Sequence, residues 1–303
     1  MRKKHFLFAS VLALLCSSST LHAQDFKLTS SGYFKNQGVD VMAFDDIYPE
    51  GHQGGVCIIM NGHRVATNGD IRLEATPGQW QPVPKQLDRK LGDNSITATL
   101  CYPDSSRHLT GFNPMIYPDL HLIYTVNVES KGKNIEVTVD LDRPIPQEFI
   151  GKVGFNLEFF PGSLFGKPWI MDGQSGIFPQ QPNSPLMTTQ PNYLHTGNYH
   201  DGKKSLADMD KLIGKGYSPI VADDIISEPY AKGTKFTSRP DDPYNKVTIE
   251  SLSGDLQLFD GRMNHNNGWF VLRSNIKPGV TKGAVKWIIT PNVVADWMYQ
   301  PVI

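Results

Sequence analysis

The residues best suited to chemistry in this chain lie together within residues 155–182. Glu158 and Asp172 are the nearest pair of carboxyl groups in that stretch. Glycoside hydrolysis requires two carboxyl groups, spaced for a nucleophile or for an interposed water. An Asp that follows a strand is also a common turn former or cap. Glu158 and Asp172 are therefore the candidate catalytic residues, with a structural role as the alternative. Further acids lie elsewhere in the chain, at Asp45, Asp46, Asp223, Asp224 and Glu228.

Aromatic side chains accompany these two acids. They are Phe159, Phe160, Phe165, Trp169 and Phe178. A mixture of flat apolar faces and hydrogen-bonding groups suits a sugar, because a pyranose ring has an apolar C–H face and a polar rim. The alternative is that the aromatic side chains fill the core beneath a long loop.

A sugar-binding site predicts stacking platforms and polar rim groups. The candidates are Trp169, Trp80 and Trp269 for stacking, with Asp172, Gln174 and Asn264 on the rim. Each candidate has a structural alternative. Trp169 lies among apolar residues and Trp269 begins an apolar strand, so both can be core residues, whereas Trp80 lies in a proline-rich loop. Asn264 belongs to a polar connector that can be a simple turn.

Common catalytic and cofactor motifs are not present in the sequence. It contains no Gly-x-Ser-x-Gly elbow, no Gly-x-x-x-x-Gly-Lys-[Ser/Thr] loop and no His-Glu-x-x-His motif. His195, His200 and Asp201 form the best group of metal ligands, but a loop would have to bring the imidazoles together. We therefore predict no metal site and no cofactor, and leave open a calcium ion held by scattered carbonyl groups.

Short apolar or alternating segments separated by turn residues predict an all-β fold. Three hairpins are expected, and the first has the Asn61-Gly62 turn signal. A second turn signal, Asn68-Gly69, follows it, and residues 205–216 have the pattern of one short capped helix. The hairpins pair 56–60 with 63–66, 120–128 with 134–141, and 246–252 with 255–260; further strands are predicted at 39–44, 71–74, 95–102, 152–160, 269–274 and 284–290.

The strands are joined by turns rather than by helices, which favours two packed antiparallel sheets. We find no internal repeat or low-complexity linker that would divide the chain. Residues 24–303 are therefore predicted to form a single large antiparallel β-sandwich domain of the supersandwich type, with long loops and one short helix.

Residues 1–23 have the pattern of a signal peptide. A basic start is followed by an apolar run at residues 6–15, and Ala23 offers a cleavage site. Cys16 follows Leu15 rather than a small residue, which disfavours a lipoprotein. No later segment approaches the roughly 20 apolar residues that a membrane helix needs. The sequence thus predicts a secreted or periplasmic protein without a membrane span.

Charge and cysteine content narrow the range of partners. The formal net charge is −1 and no basic run follows the signal segment, so nucleic acid is not an expected partner. Cys57 and Cys101 each lie in an apolar segment. In an oxidising compartment they can pair, and as buried thiols they can equally remain apart, so both states stay open.

Three segments carry a resemblance to a known family. Residues 64–85, 158–182 and 289–303 resemble the N-terminal β-rich region of secreted glycoside hydrolases related to family 9, which are cellulase-like or endoglucanase-like. In such proteins this region precedes an immunoglobulin-like module and a barrel that supplies the catalytic carboxylates. The resemblance implies a non-catalytic module that contacts a polysaccharide or oligosaccharide or packs on a catalytic domain. No catalytic motif of that family lies in this chain.

Three hypotheses about function follow. The first is the carbohydrate-associated, non-catalytic module just described. The second is an enzyme that acts on a glycosidic bond or a sugar ring through an Asp/Glu pair, which requires two carboxyl groups in one cleft. The third is a structural module whose apolar face is covered by another protein.

Overall fold

A computed structural model describes residues 25–45, 54–74, 84–102, 120–180, 228–261 and 269–294. These residues form eighteen β-strands in two nine-stranded antiparallel sheets, with two short 3-10 turns at Gln147–Phe149 and Pro161–Ser163. The predicted all-β sandwich is therefore confirmed. The helix predicted at residues 205–216 lies outside the described residues. Within the described ranges there is no helix long and apolar enough to cross a membrane.

The first sheet combines strands from both ends of the chain. In spatial order it contains β1 (Lys27–Leu28), β2 (Phe34–Asn36), β3 (Val39–Ala43), β4 (Val56–Met60), β5 (His63–Leu73), β10 (Val153–Phe159), β17 (Phe270–Asn275), β16 (Leu256–Asp260) and β13 (Ala231–Gly233).

The second sheet is built mainly from the middle of the chain. In spatial order it contains β12 (Gln174–Ile177), β11 (Pro168–Met171), β14 (Lys235–Ser238), β15 (Val247–Ser251), β18 (Val285–Pro291), β9 (Asn134–Leu141), β8 (Leu122–Lys131), β7 (Ser95–Tyr102) and β6 (Lys85–Leu91).

Alternation of side chains explains how the sheets pack. In β7 and β9 every second residue is buried, because successive side chains of a strand point to opposite faces. The buried sets from both sheets join one hydrophobic core. Trp287 of β18 lies in that core, with its ring centroid 5.0 Å from that of Phe155 of β10.

Strand β10 is buried along its whole length and has two different faces. Phe155 and Phe159 contact Trp287 and Phe236 of the second sheet. The alternate side chains, those of Asn156 and Glu158, therefore point to the opposite face, away from the second sheet.

Two of the predicted hairpins are confirmed. The turn between β4 and β5 has positive φ angles at Asn61 (52°) and Gly62 (77°), as a tight hairpin turn requires. Strands β8 and β9 pair from Lys131 and Asn134 onward, around the positive φ of Gly132.

The third predicted hairpin is wrong. Strand β15 pairs with β14 and β18 in the second sheet, whereas β16 pairs with β13 and β17 in the first. Ser253 and Gly254, which separate the two predicted strands, therefore mark a crossing between the sheets. A turn signal shows where the chain changes direction and does not show which strand each arm pairs with.

The Asn68-Gly69 signal also has a different outcome. Asn68 has a φ of 55°, but it lies inside β5, where the register with β4 and with β10 shifts. These residues form a β-bulge rather than a turn, and a bulge re-aims the side chains beside it.

The sequence analysis predicted no strand between residues 160 and 246, and for the segment after β10 this is wrong. It contains the hairpin β11–β12, with positive φ angles at Asp172 (44°) and Gly173 (85°). Asp-Gly is a standard signal for such a turn.

Among the described residues, Cys57 and Cys101 carry thiols and do not form a disulfide with each other. Cys57 lies in β4 of the first sheet and Cys101 in β7 of the second. The Cys57 Sγ is 3.0 Å from the Thr67 Oγ1 and donates to the Gly54 carbonyl.

Candidate functional site

A group of buried polar side chains crosses the centre of the first sheet. Asn156 of β10 pairs in register with Asp70 of β5 on one side and with Arg273 of β17 on the other. Residues opposite each other in neighbouring strands lie on the same face of the sheet. We call six residues the polar cluster: Asp70, Arg72, Glu74, Asn156, Glu158 and Arg273.

Hydrogen bonds join one half of the polar cluster. The Asn156 Nδ2 donates to the Glu74 Oε1 at 3.1 Å, and the Arg273 Nη1 donates to the Asn156 Oδ1 at 2.7 Å. The Arg273 Nη1 also lies 3.9 Å from the Glu74 Oε1. Asn156 is therefore held in one orientation between a cation and an anion.

The other half of the polar cluster extends to the second sheet. Strand β4 pairs with β5 only as far as Val56 and Gly69. Past the end of β4, the Tyr124 hydroxyl of β8, a strand of the second sheet, donates a hydrogen bond to the Asp70 Oδ1 at 2.7 Å. The Arg72 Nη1 lies 3.6 Å from the Asp70 Oδ2. This half is thus an ion pair fixed by a buried tyrosine.

Glu158 is positioned by the bulge in β5. The Asn68 Nδ2 donates to the Glu158 Oε2 at 2.7 Å, and the positive φ of Asn68 re-aims its amide. Glu158 also interacts electrostatically with Arg72. One catalytic candidate from the sequence therefore lies within a network of charged and amide groups.

Burial and charge shift the pKa values of the polar cluster in opposite directions. Burial raises the pKa of Asp70, and Arg72 and Tyr124 oppose the rise. For Arg72, burial lowers the pKa, but Asp70 and Glu158 outweigh it and the net shift is upward. Burial also lowers the pKa of Arg273, with Glu74 in opposition.

Charged side chains are seldom buried in a protein interior unless they are paired. The five charged side chains of the polar cluster are between 1% and 5% exposed. Burying a charge costs several kcal/mol of free energy, which a partner's attraction often does not recover in full. Such groups occur more often at functional sites than elsewhere, so the polar cluster is the candidate site.

A glycine makes room for the Arg273 guanidinium. A Cβ on Gly154 would lie 2.8 Å from the Arg273 Cζ and 2.6 Å from the Ser274 carbonyl oxygen. The guanidinium therefore lies directly over the backbone of β10.

Two aromatic side chains lie next to the polar cluster. Phe159 and Phe270 are the last pair of β10 with β17, and Phe160 and Trp269 follow at that end of the sheet. Their ring centroids are 5.3 Å apart with an interplanar angle of 61°. Phe160 is 51% exposed and Trp269 is half-buried. Because Phe160 is two residues beyond Glu158 in extended backbone, we place this aromatic pair on the face that carries Glu158.

The second catalytic candidate lies elsewhere. Asp172 is in the β11–β12 turn, and its carboxylate accepts hydrogen bonds from the Thr234 N–H, the Thr234 hydroxyl and the Lys235 N–H. Glu158 and Asp172 are thus on different sheets.

The remaining predicted ligand residues have varied positions. Trp169 is 7% exposed, and its indole lies against Gly176. Gln174 is exposed and donates to the Lys232 carbonyl. Trp269 belongs to the aromatic pair, whereas Trp80 and Asn264 lie outside the described residues, as do His195, His200 and Asp201.

The sequence analysis missed Asp70, Arg72, Glu74, Asn156 and Arg273. A signal for Asn156 was present, because alternation in β10 puts it on the same face as Glu158. Arg273 gave no local signal, since its partner Asn156 is 117 residues away.

No family model and no curated protein matches the chain. Among solved structures, similarity is found to a putative mutarotase (YeaD) from Salmonella typhimurium, with a TM-score of 0.32 and 8% identity, over 88% of this chain and 96% of that one. Slr1438 from Synechocystis sp. PCC 6803 gives a TM-score of 0.35 and 10% identity over 88% and 96%. HI1317 gives a TM-score of 0.32 and 9% identity, over 89% of this chain and 99% of that one. Likeness at this level supports no conclusion about function.

These comparisons correct the resemblance to the N-terminal region of family 9 glycoside hydrolases, which is wrong. No family model of any kind matches the chain, that of the family 9 glycoside hydrolases included. The three segments that suggested the family are short, and each of them includes residues outside the described ranges.

Proposed function

We propose that this protein binds a carbohydrate where the polar cluster meets the aromatic pair of Phe160 and Trp269. The observation that carries the proposal is the placement of a half-exposed aromatic pair beside Glu158 at the end of β10. An aromatic surface takes the apolar face of a sugar ring, and amide and carboxylate groups take its hydroxyls. We also propose that binding takes place outside the cytoplasm, as the signal-like N-terminus predicts.

Calorimetric titration of residues 24–303 with monosaccharides and with soluble β-glucan, xyloglucan, mannan and xylan tests the proposal. We expect binding of at least one sugar, weakened about tenfold or more in Trp269→Ala and in Phe160→Ala, which corresponds to about 1.4 kcal/mol. Leu252→Ala, at an exposed apolar residue outside the site, is the control and should bind as the parent does. Absence of binding across the panel would refute the proposal and favour a protein-interaction module.

A second candidate is a sugar-active enzyme that uses general acid–base chemistry. It is favoured by Glu74 and Glu158, two buried carboxyl groups that each accept a hydrogen bond from a side-chain amide of this region. Exchange between sugar anomers and release of reducing sugar would be measured for the parent and for Glu158→Gln. Catalysis that is lost in the variant while binding persists would identify an enzyme; binding without turnover would leave a binding protein.

A further inference from the structure

Arg273, the first of two arginines in the polar cluster, is committed to protein acceptors. Its Nε donates to the Asn275 Oδ1 at 2.7 Å, its Nη1 to the Asn156 Oδ1 at 2.7 Å, and its Nη2 to the Lys152 carbonyl. All three nitrogens therefore have acceptors, and the residue is 2% exposed.

Arg72 is held by one hydrogen bond and by an ion pair. Its Nη1 donates to the Ile71 carbonyl at 2.9 Å and lies 3.6 Å from the Asp70 Oδ2, and its charge is further balanced by Glu158. The residue is 3% exposed. Moving Arg72 toward a ligand would leave the buried Asp70 without its ion-pair partner, which is costly.

We infer that the site selects neutral sugars and discriminates against sugar acids and sugar phosphates. A buried anionic group on a ligand needs a cation that can turn to it, and bidentate arginine is the usual solution. Both guanidinium groups of the polar cluster already serve protein acceptors, and its other members are carboxyl and amide groups. A carboxylate oxygen can accept more than one hydrogen bond, so ring hydroxyls can donate to the carboxylates of the polar cluster, whereas a carboxylate or phosphate of a ligand would face like charge. This inference rests on the proposed function and deepens it.

Matched ligands provide the test. Calorimetry would compare methyl β-D-glucoside with methyl β-D-glucuronoside, glucose with glucose 6-phosphate, and the corresponding galactose pairs. For whichever ring binds, we expect the anionic member to bind at least tenfold more weakly. Equal or tighter binding of an anionic member would overturn the inference.

Removing the charge of Glu158 distinguishes an effect on the preference for neutral sugars from an effect on the structure of the protein. In Glu158→Gln the Asn68 amide keeps an acceptor, and we expect the preference for the neutral sugar to fall at least threefold. Glu250→Gln, a half-exposed carboxylate on the second sheet, is the matched control and should leave the preference unchanged. A preference that is the same in Glu158→Gln as in the parent would overturn the assignment to the polar cluster, because a purely structural role would weaken both ligands alike.

The two proposals fail in different ways. Tight binding of the anionic sugars would refute the inference about charge and leave carbohydrate binding intact. No binding of any sugar would refute both. Thermal unfolding of each variant, measured alongside, shows whether a loss of binding arises from misfolding.

Discussion

Asp172 holds the edge of the second sheet together. Its carboxylate bonds to the backbone N–H groups of Thr234 and Lys235. The Thr234 hydrogen bond lowers the pKa of Asp172, with desolvation in opposition. Because the folded-state pKa lies below the unfolded value, the ionised carboxylate stabilises the fold above about pH 4. That stabilisation is lost as the pH falls through the folded pKa.

Asp172→Asn is expected to lower the free energy of unfolding by about 1 kcal/mol at pH 7, because a neutral amide accepts the hydrogen bonds of Thr234 and Lys235 more weakly than a carboxylate does. The effect is small because the group is exposed to solvent. Asn tolerates the positive φ at this position, so backbone strain is avoided. The difference from the parent should shrink as the pH is lowered from 5 to 3.5, measured by urea unfolding. Asp255→Asn, at an exposed site, serves as the control. A loss that does not vary with pH would show that the charge is not responsible.

Individual residues of the site were predictable only where the signal is local. Glu158 was found because a strand pattern and a nearby acid are visible in sequence. Arg273 was not found, because its role depends on Asn156 and Lys152, which only the sheet register brings close. The Asn68-Gly69 pair was predicted as a turn but forms a β-bulge, because both structures can use the same positive φ.

At the level of elements, the hairpin β11–β12 depends on a glycine. A Cβ on Gly176 would overlap the Trp169 ring across the strand pair. Gly176→Ala is therefore expected to destabilise the protein by about 1–3 kcal/mol, the usual cost of overpacking.

A double-mutant cycle with Trp169→Leu tests that cause. In the smaller Leu background, Gly176→Ala should cost clearly less, because the ring that it meets is gone. Urea unfolding of the four proteins gives the interaction energy. If the losses of unfolding free energy in the two single variants add up to the loss in the double variant, the Trp169 ring is not the reason that a glycine is needed at position 176.

Strands that pack on the core were predicted more accurately than an exposed strand at a sheet edge. Strands β7 and β9 were predicted with their observed bounds because each alternates and each packs on the core. Strand β6 was missed because it is a sheet edge with mostly exposed, charged side chains, which is typical of edges. The third hairpin was wrong because adjacent strands in sequence went to different sheets.

At the scale of the whole molecule, Trp287 couples the two sheets. Its ring meets Phe155, and its Nε1 donates to the Ser274 hydroxyl of the first sheet at 2.9 Å. Trp287→Ala is expected to lower the free energy of unfolding by about 3–5 kcal/mol, and Trp287→Phe by less. Far-UV circular dichroism and intrinsic fluorescence should shift together in urea, because the sheets share one core. Separate transitions would contradict that coupling.

Export is a prediction for the whole chain. Expression of residues 1–303 in a bacterial host should yield a mature protein beginning near Gln24 in the periplasm or medium, as found by intact mass. A chain that retains Met1 in the cytoplasmic fraction would contradict the signal peptide.

The pairing of distant strands has a consequence for how the chain folds. Val139 of β9 pairs with Val285 of β18, and Val153 of β10 pairs with Leu73 of β5. Domains dominated by such non-local contacts fold slowly, since large loops must close before the contacts form. Strand β18 lies between β9 and β15, so neither half of the second sheet can join the other until residues 285–291 have left the ribosome. The two halves of the second sheet are therefore expected to stay apart until late in synthesis, with unpaired strand edges that chaperones would protect during that interval.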